Sequence, residues 1–321
     1  MRVLIVGSPD DPHVAIVLAE LARRGSSSVV VSLGRSGNQT SPQFVTISPT
    51  NGKVLSSSVK ISEVEARDFR SVYYRPKPSF ATPTSVHEFI RREFVEREWG
   101  YFFEPIWKAL THLTWVNPLS AVRACKSKLF QLQAAGELEI KVPKTIVTNE
   151  AGALRGFLAT TGGECIFKTH GFFFMPPDKI AFTSVIKSCD VDRIAEELAI
   201  CPGIFQEVVP KLYELRVTVV GDKLFPVAIH SQEHGNAKFD WRKAIDEVRY
   251  SEAKLTQQQE SAILSLQRRL GLSYGAYDFI VTPSGDFVFL EVNSSGNYLW
   301  LEEKLGLPIT SEIVNFLLHE R

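Results

Sequence analysis

No apolar run in the 321 residues approaches the roughly 20 needed to cross a bilayer as a helix. Charge of one sign is also lacking. Lys and Arg number 36 against 36 Asp and Glu, so the totals give no argument for nucleic acid or an anionic membrane as partner. The four cysteines, Cys125, Cys165, Cys189 and Cys201, include no C-x-x-C pair, which argues against a metal knuckle or a redox couple. Met1-Arg2 leads straight into VLIVG, too short for the apolar region of a secretory signal. A soluble, reduced, cytoplasmic protein is expected. The turn after the first strand, GSPDDPH, has neither G-x-G-x-x-G nor G-K-[ST], so the dinucleotide and P-loop fingerprints are missing. No Ser/His/Asp or Cys/His arrangement suggests a covalent enzyme nucleophile, and no internal repeat is seen.

What is present is an α/β (α+β) pattern. Val3–Val6 reads as a buried strand, 12–24 as a helix and Ser28–Ser32 as a second strand, a Rossmann-like βαβ opening. The segment 34–60, rich in Ser, Thr, Asn and Gly, suggests short strands and loops. SVYY (71–74) reads as another strand, ending in Arg75-Pro76-Lys77-Pro78. Glu88–Leu110 is a long amphipathic helix whose aromatics suit a core or an interface with a second subunit. Asn117 and Pro118 start a helix expected to run unbroken to Ala135. Strands are then expected at 144–147, 165–169, 179–187 and 204–209, with helices at 151–159 and 191–198. A hairpin turns at Gly221-Asp222, and a helix (256–270), a second hairpin and a C-terminal helix follow. Three units are expected, at 1–115, 116–205 and 206–321.

The second hairpin, AYDFIVTPSGDFVFLEVNSSGN (276–297), carries the strongest chemistry. With its turn centred between Ser284 and Gly285, paired residue numbers sum to 569, and Asp278 faces Glu291. Asn293 shares the face of Glu291 because side chains alternate along a strand. Opposed side chains lie roughly 5 Å apart and like charges there repel, so two carboxylates among Phe279, Ile280, Phe289 and Leu290 call for a partner. A hard divalent cation supplies one, with the Asn293 carbonyl as a neutral third ligand. The alternative is a solvated face carrying acids by chance.

Lys168 lies in the strand CIFKTHG, where a buried ammonium needs an anion such as phosphate, unless it snorkels at a strand end. His170-Gly171 would open a flap over it. Lys128, on a helix, carries no signal alone. In FQEVVPKLYELRVTVVG, Glu214, Arg216 and Thr218 alternate on one face. A purine would suit the main chain around Glu207, Val208 and Val209, with Glu214 accepting from ribose hydroxyls. Arg216 would grip phosphoryl or activated carboxylate oxygens; the alternative is a surface Glu–Arg pair. The sequence 230–234 matches H-x-x-E-H, yet it follows a strand and runs into Gly235, so His230 reads better as a polar group at a cleft mouth than as a zinc ligand. Asp240-Trp241-Arg242 offers an arginine for a substrate carboxylate with an aspartate to orient it, or a helix cap.

In this order, Lys128, Lys168, Gln206-Glu207-Val208-Val209, Glu214-Leu215-Arg216, Asp278 and Glu291-Val292-Asn293 resemble the ATP-grasp carboxylate–amine ligases. The runs SVYYRPKP, WVNPLSAVRACKSKLFQLQAAG, VPKTIVTN, FQEVV, ELRVTVVG, AIHSQ, DWR and DFIV…LEVNSSGNYLW look closer still to the graspetide synthetases, microviridin-type maturases that macrocyclise ribosomal peptides. The closer resemblance covers about 70–321. It implies an ATP-grasp fold with an N-terminal domain, a central lid and a C-terminal domain. It implies ATP phosphates on Lys128 and Lys168, adenine at Gln206–Val209, ribose on Glu214 and magnesium on Asp278, Glu291 and Asn293. Arg216 and Lys168 would serve catalysis, and His230, Asp240 and Arg242 would border the acceptor carboxylate. The expected partner is a ribosomal precursor peptide, leader and core, and a homodimer is expected. Thr169-His170-Gly171 departs from a long glycine-rich flap. Two other readings stay open: a RimK-like ligase adding amino acids to a peptide or small acceptor, and a nucleotide-binding regulator without turnover.

Overall fold

The computed structural model describes residues 2–31, 60–61, 64–75, 88–171, 174–175, 179–180, 184–238 and 241–320. Asp240 and the expected short strands over 34–59 lie outside them. The first sheet is parallel, in the order β2-β1-β5-β6. It is built from β1 (Arg2–Val6), β2 (Ser28–Val31), β5 (Phe69–Tyr74) and β6 (Thr114–Val116), while β3 (Lys60–Ile61) and β4 (Val64–Glu65) pair separately. Val3, Leu4, Ile5 and Val6 are fully buried, because both faces of a parallel sheet are covered. Helix α1 (Pro12–Arg23) starts at Pro12 with Asp11 as its cap and packs one face together with the C-terminal helix Ile309–Leu318. Helix α2 (Phe89–Ala109) covers the other face through Phe103, Ile106 and Trp107.

The expected single helix 118–135 is two helices, α3 (Leu119–Ala124) and α4 (Lys128–Glu137). Ser127 interrupts it: its hydroxyl accepts from Phe130 N at 3.3 Å and caps α4, a local bond that competes with helix continuation. Lys128 therefore opens a helix instead of sitting in the middle of one.

A second, antiparallel sheet runs β11-β8-β12-β7. Its strands are β7 (Thr145–Thr148), β8 (Glu164–Lys168), β11 (Ser184–Lys187) and β12 (Gly203–Gln206), with helices α5 (Ala151–Thr160) and α6 (Val191–Ile200) on the face bearing Cys165 and Phe205. Of the expected strand 179–187, the described residues form β10 (Lys179–Ile180), paired with β9 (Phe174–Met175), and β11, while 181–183 lie outside them. Strand β12 stops at Gln206, three residues short of expectation, and 207–212 is irregular.

The third sheet is an antiparallel array, β15-β14-β13-β16-β17. It comprises β13 (Tyr213–Val220), β14 (Lys223–Ile229), β15 (Tyr250–Glu252), β16 (Tyr274–Val281) and β17 (Phe287–Asn293). Helix α7 (Gln257–Leu270) and α4 cover the face presenting Leu215, Val217, Val219, Tyr277, Phe279, Phe289 and Val292. With a period of two, Glu214, Arg216, Thr218 and Asp278 fall on the opposite face. Helices α8 (Leu299–Leu305) and α9 (Ile309–Leu318) end the chain. No helix among the described residues is long and apolar enough to cross a membrane.

Candidate functional site

Asp278 does stand opposite Glu291, by a route the residue spacing did not foretell. The loop is one residue shorter than expected: Thr282 N donates to Asp286 O, and Gly285 (φ 85°) turns the chain. Pairs next to the turn therefore sum to 568, as in Phe279 with Phe289. A bulge between Asp278 and Phe279 restores the sum of 569, pairing Asp278 with Glu291 and Ala276 with Asn293. The extra residue in β17 is absorbed at Leu290. It switches the parity of the strand, so Phe289 and Val292 both reach the helical face while Glu291 and Asn293 reach the other. Gln131 on α4 locks that edge: its amide donates to Val292 O at 3.0 Å and accepts from Val292 N at 2.7 Å.

Arg216 pairs with Asp278 in the sheet, so Arg216, Asp278 and Glu291 form one row across β13, β16 and β17. Nη1 of Arg216 reaches both oxygens of Asp278, at 2.8 and 2.7 Å. Lys128 bridges the second and third sheets: its Nζ donates to Thr169 O at 3.1 Å and lies 3.3 Å from Glu291 Oε2. Lys168 pairs with Ile204 and Ile166 with Gln206, so these four side chains share the face of the second sheet opposite to Cys165 and Phe205. Ile166 and Ile204 are buried there, an apolar floor beside the Lys168 ammonium, with the buried amide of Gln206 at its edge.

The charges interlock. Burial pushes the Glu291 carboxyl up, but Lys128, Lys168 and Arg242 outweigh it and hold it at about 2. Burial raises Asp278, helped by Glu291 and opposed by Arg216: two neighbouring carboxylates resist double ionisation. Lys168 is lowered, chiefly by burial and also by Lys128, Lys211 and Arg242. Glu214 is raised by burial against the opposing charge of Lys211. Its Oε1 accepts from Lys211 Nζ at 2.7 Å and from Ser231 Oγ at 3.1 Å.

These residues fit a metal–nucleotide. Two carboxylates and an amide oxygen on one face are the hard donors that magnesium takes, and each carboxylate oxygen keeps lone pairs beyond its present partner. Lys128, Lys168, Lys211, Arg216 and Arg242 face Glu214, Asp278 and Glu291, an excess of positive charge suited to a polyphosphate. Arg216 Nε and Thr218 Oγ1 are buried with no hydrogen-bond partner among the described residues.

The other expected residues are less tightly drawn in. Gln206 Nε2 donates to Thr145 Oγ1 at 3.1 Å. The Glu207 carboxylate accepts from Lys144 N at 2.9 Å, and Val208 and Val209 follow in the irregular stretch. His230 Nε2 lies 3.0 Å from Ser251 Oγ, and burial, then Arg249, lowers its pKa. Arg242 is exposed on a short turn whose Trp241 packs at a tilt against Trp300, ring centres 5.2 Å apart and planes 40° apart. Three residues escaped sequence reasoning: Lys211, Ser231 and Gln131. Lys211, three positions before Glu214, had a usable signal in its spacing. The other two act through contacts between distant segments. Asn117, expected to start a helix as its cap, does not cap α3, which Pro118 precedes; its side chain instead donates to Tyr274 O at 2.8 Å and accepts from Ser273 N and Tyr274 N, both at 2.7 Å.

No protein-family model and no curated protein matches the sequence. Solved structures do match over the whole chain. The macrocyclase MdnC from Microcystis aeruginosa MRC, bound with precursor peptide MdnA, is 28% identical with a TM-score of 0.81, and all of both chains is covered. MdnB, a macrocyclase of the same organism, is 27% identical with a TM-score of 0.77, covering 99% of each chain. A RiPP-associated ATP-grasp ligase from Chryseobacterium gregarium, in complex with ADP and a leader and core peptide, has a TM-score of 0.79 at 24% identity, covering 99% of this chain and 97% of that one. The fold is the ATP-grasp fold. Within it, the resemblance to the graspetide synthetases drawn from the residue motifs is borne out.

Proposed function

We propose that this protein is an ATP- and Mg2+-dependent, ADP-forming ligase that macrocyclises a ribosomal precursor peptide. It would activate Asp or Glu side chains as acyl phosphates and close esters or amides with Ser, Thr or Lys. One observation supports this above the others: the row Arg216–Asp278–Glu291 facing Lys128, at the start of α4, and Lys168 of the neighbouring sheet. Likeness over the full length to a macrocyclase crystallised with a precursor peptide adds to it.

Bound magnesium would neutralise the triphosphate for in-line phosphoryl transfer. Asp278, Glu291 and Asn293 would hold it, and Lys128 and Lys168 would position the phosphates. Gln206 and the main chain of Glu207–Val209 would read adenine, and Glu214, steadied by Lys211, would accept from ribose. Arg216 would balance charge on the phosphoryl group as the peptide carboxylate takes it and ADP leaves. The peptide hydroxyl or amine then attacks the acyl carbon, loses its proton, and phosphate departs. Arg242, oriented by Asp240, would hold the acceptor carboxylate, with His230 bordering it. The second sheet, spanning 145–206, would act as the lid within a division at 1–115, 116–205 and 206–321. A cytoplasmic homodimer belongs to the same proposal. The exposed Phe89, Ile90 and Phe94 of α2 offer it a face, and sedimentation of the purified protein tests it.

The deciding experiment mixes protein, ATP, Mg2+ and a linear precursor peptide. ADP release that requires peptide, with loss of one water per crosslink in the mass spectrum, supports macrocyclisation. Mass gain would mean amino-acid addition, and nucleotide binding without ADP release would mean a regulator.

A further inference from the structure

The turn GSPDDPH lacks the dinucleotide and P-loop fingerprints, yet its half-buried Asp11 and buried His13 reach across the fold. Asp11 Oδ1 accepts from His13 N at 2.8 Å and lies 3.1 Å from His13 Nδ1. Its Oδ2 accepts from Arg75 Nε at 2.9 Å. With Nδ1 facing a carboxylate and Nε2 accepting from Tyr298 N at 3.1 Å, His13 is the neutral Nδ1–H tautomer. Arg75, 3% exposed, spends the rest of its fork on residues 220 positions away. Nη1 donates to Ser295 O at 3.0 Å and to Gly296 O at 3.4 Å, and Nη2 donates to Asn297 Oδ1 at 2.8 Å.

These are the residues that follow Asn293 directly. Gly296 N donates back to Asn293 O at 3.2 Å. A Cβ at Gly296 would lie 2.8 Å from Arg216 Nη2 and 3.3 Å from Asn293 Cβ. The turn backbone is therefore the wall against which Arg216 and Asn293 rest. Asn117 donates to Ser294 O at 2.7 Å and Tyr274 Oη to Gly296 O at 2.8 Å. Each carbonyl from Ser294 to Gly296 thus accepts from a side chain fixed in another strand or loop.

We infer that Arg75, braced by Asp11, is a positioning residue: it sets the turn 294–297 so that Arg216 and Asn293 keep their places at the metal end of the site. The inference rests on the reading of Asp278, Glu291 and Asn293 as magnesium ligands. Arg75 touches none of them, and its influence passes through backbone. A planar fork making four contacts has no substitute in a point-charge ammonium.

Arg75→Lys tests this, with Asn297→Ala as a milder variant that removes one arm of the fork. Arg24→Ala is the control. Arg24 also ties α1 to the C-terminal helix, through Ser311 Oγ at 2.7 Å and Glu320 at 2.8 Å, but away from the site. Two quantities are read: Tm, and the Mg2+ concentration giving half-maximal binding of a fluorescent ATP analogue without peptide. Arg75→Lys should raise the Mg2+ requirement roughly tenfold, the low end for losing a group that orients metal ligands. Asn297→Ala should raise it less, and Arg24→Ala should lower Tm without moving it. A shift in Arg75→Lys and Asn297→Ala no larger than in Arg24→Ala would overturn the inference and leave Arg75 as interdomain glue. Wild-type binding indifferent to Mg2+ would instead overturn the ligand reading on which it stands.

Discussion

Replacing Glu291 by Gln keeps shape and removes charge, so it isolates what the carboxylate does. Lys128, Lys168 and Arg242 bring that group from 4.5 to about 2. At about 1.4 kcal/mol per pKa unit, the ionised form is favoured in the folded protein by roughly 3 kcal/mol. The side chain is only 20% exposed, so solvent screening removes little of this. A folded value below the unfolded one contributes stability that is complete above about 4.5 and is lost as pH falls towards about 2. Glu291→Gln should therefore unfold at lower urea near neutral pH, by an amount worth about 3 kcal/mol, and the gap to wild type should close below about pH 4. A domain-sized stability of about 5–15 kcal/mol survives that loss, so the variant remains folded. Its turnover should fall at least about 100-fold, more than for a residue that merely orients a ligand. ADP release with precursor peptide over a Mg2+ series is the assay. Unchanged turnover and Mg2+ dependence would refute the metal assignment. A stability gap independent of pH would refute the electrostatic reasoning.

Three further outcomes follow from the same geometry. Arg216→Ala should lose about 1.5–3 kcal/mol in urea unfolding, because the Asp278 carboxyl, already pushed up by burial and Glu291, loses the cation that opposes both; Asp278→Asn in the same chain should recover part of it. Gly296→Ala should cost about 1–3 kcal/mol, since its Cβ would run into Ala276 Cβ and lie 2.8 Å from Arg216 Nη2, and should lower kcat more than its stability loss explains. Arg242→Ala should raise KM for the peptide roughly tenfold, about the 1.4 kcal/mol of one charged contact, with KM for ATP little changed; unaltered peptide saturation would remove Arg242 from the acceptor site.

The chain alone carried the local half of this site. Alternation put Glu214, Arg216 and Thr218 on one face, and the Gly221 turn, the helix at 256–270 and the buried β1 were all legible, because each depends on neighbours within a few residues. The pairing of Asp278 with Glu291 was also anticipated, on an assumption only half correct. A shorter loop and a bulge at Leu290 each shift the register by one, and the two shifts cancel. Lys128 was placed on the right segment but not at the start of a helix, since the Ser127 cap competes with a continuous apolar pattern.

Contacts between distant segments were decided by the tertiary structure. That Lys128 bridges Thr169 and Glu291, that Gln131 clamps the edge at Val292, and that Arg75 holds the turn beyond Asn293 follow from no spacing, because each joins residues 41 to 222 positions apart. Periodicity states which way a side chain faces. What it meets there depends on how three sheets pack, and so does the balance of burial against charge that sets Glu291 low and Asp278 high.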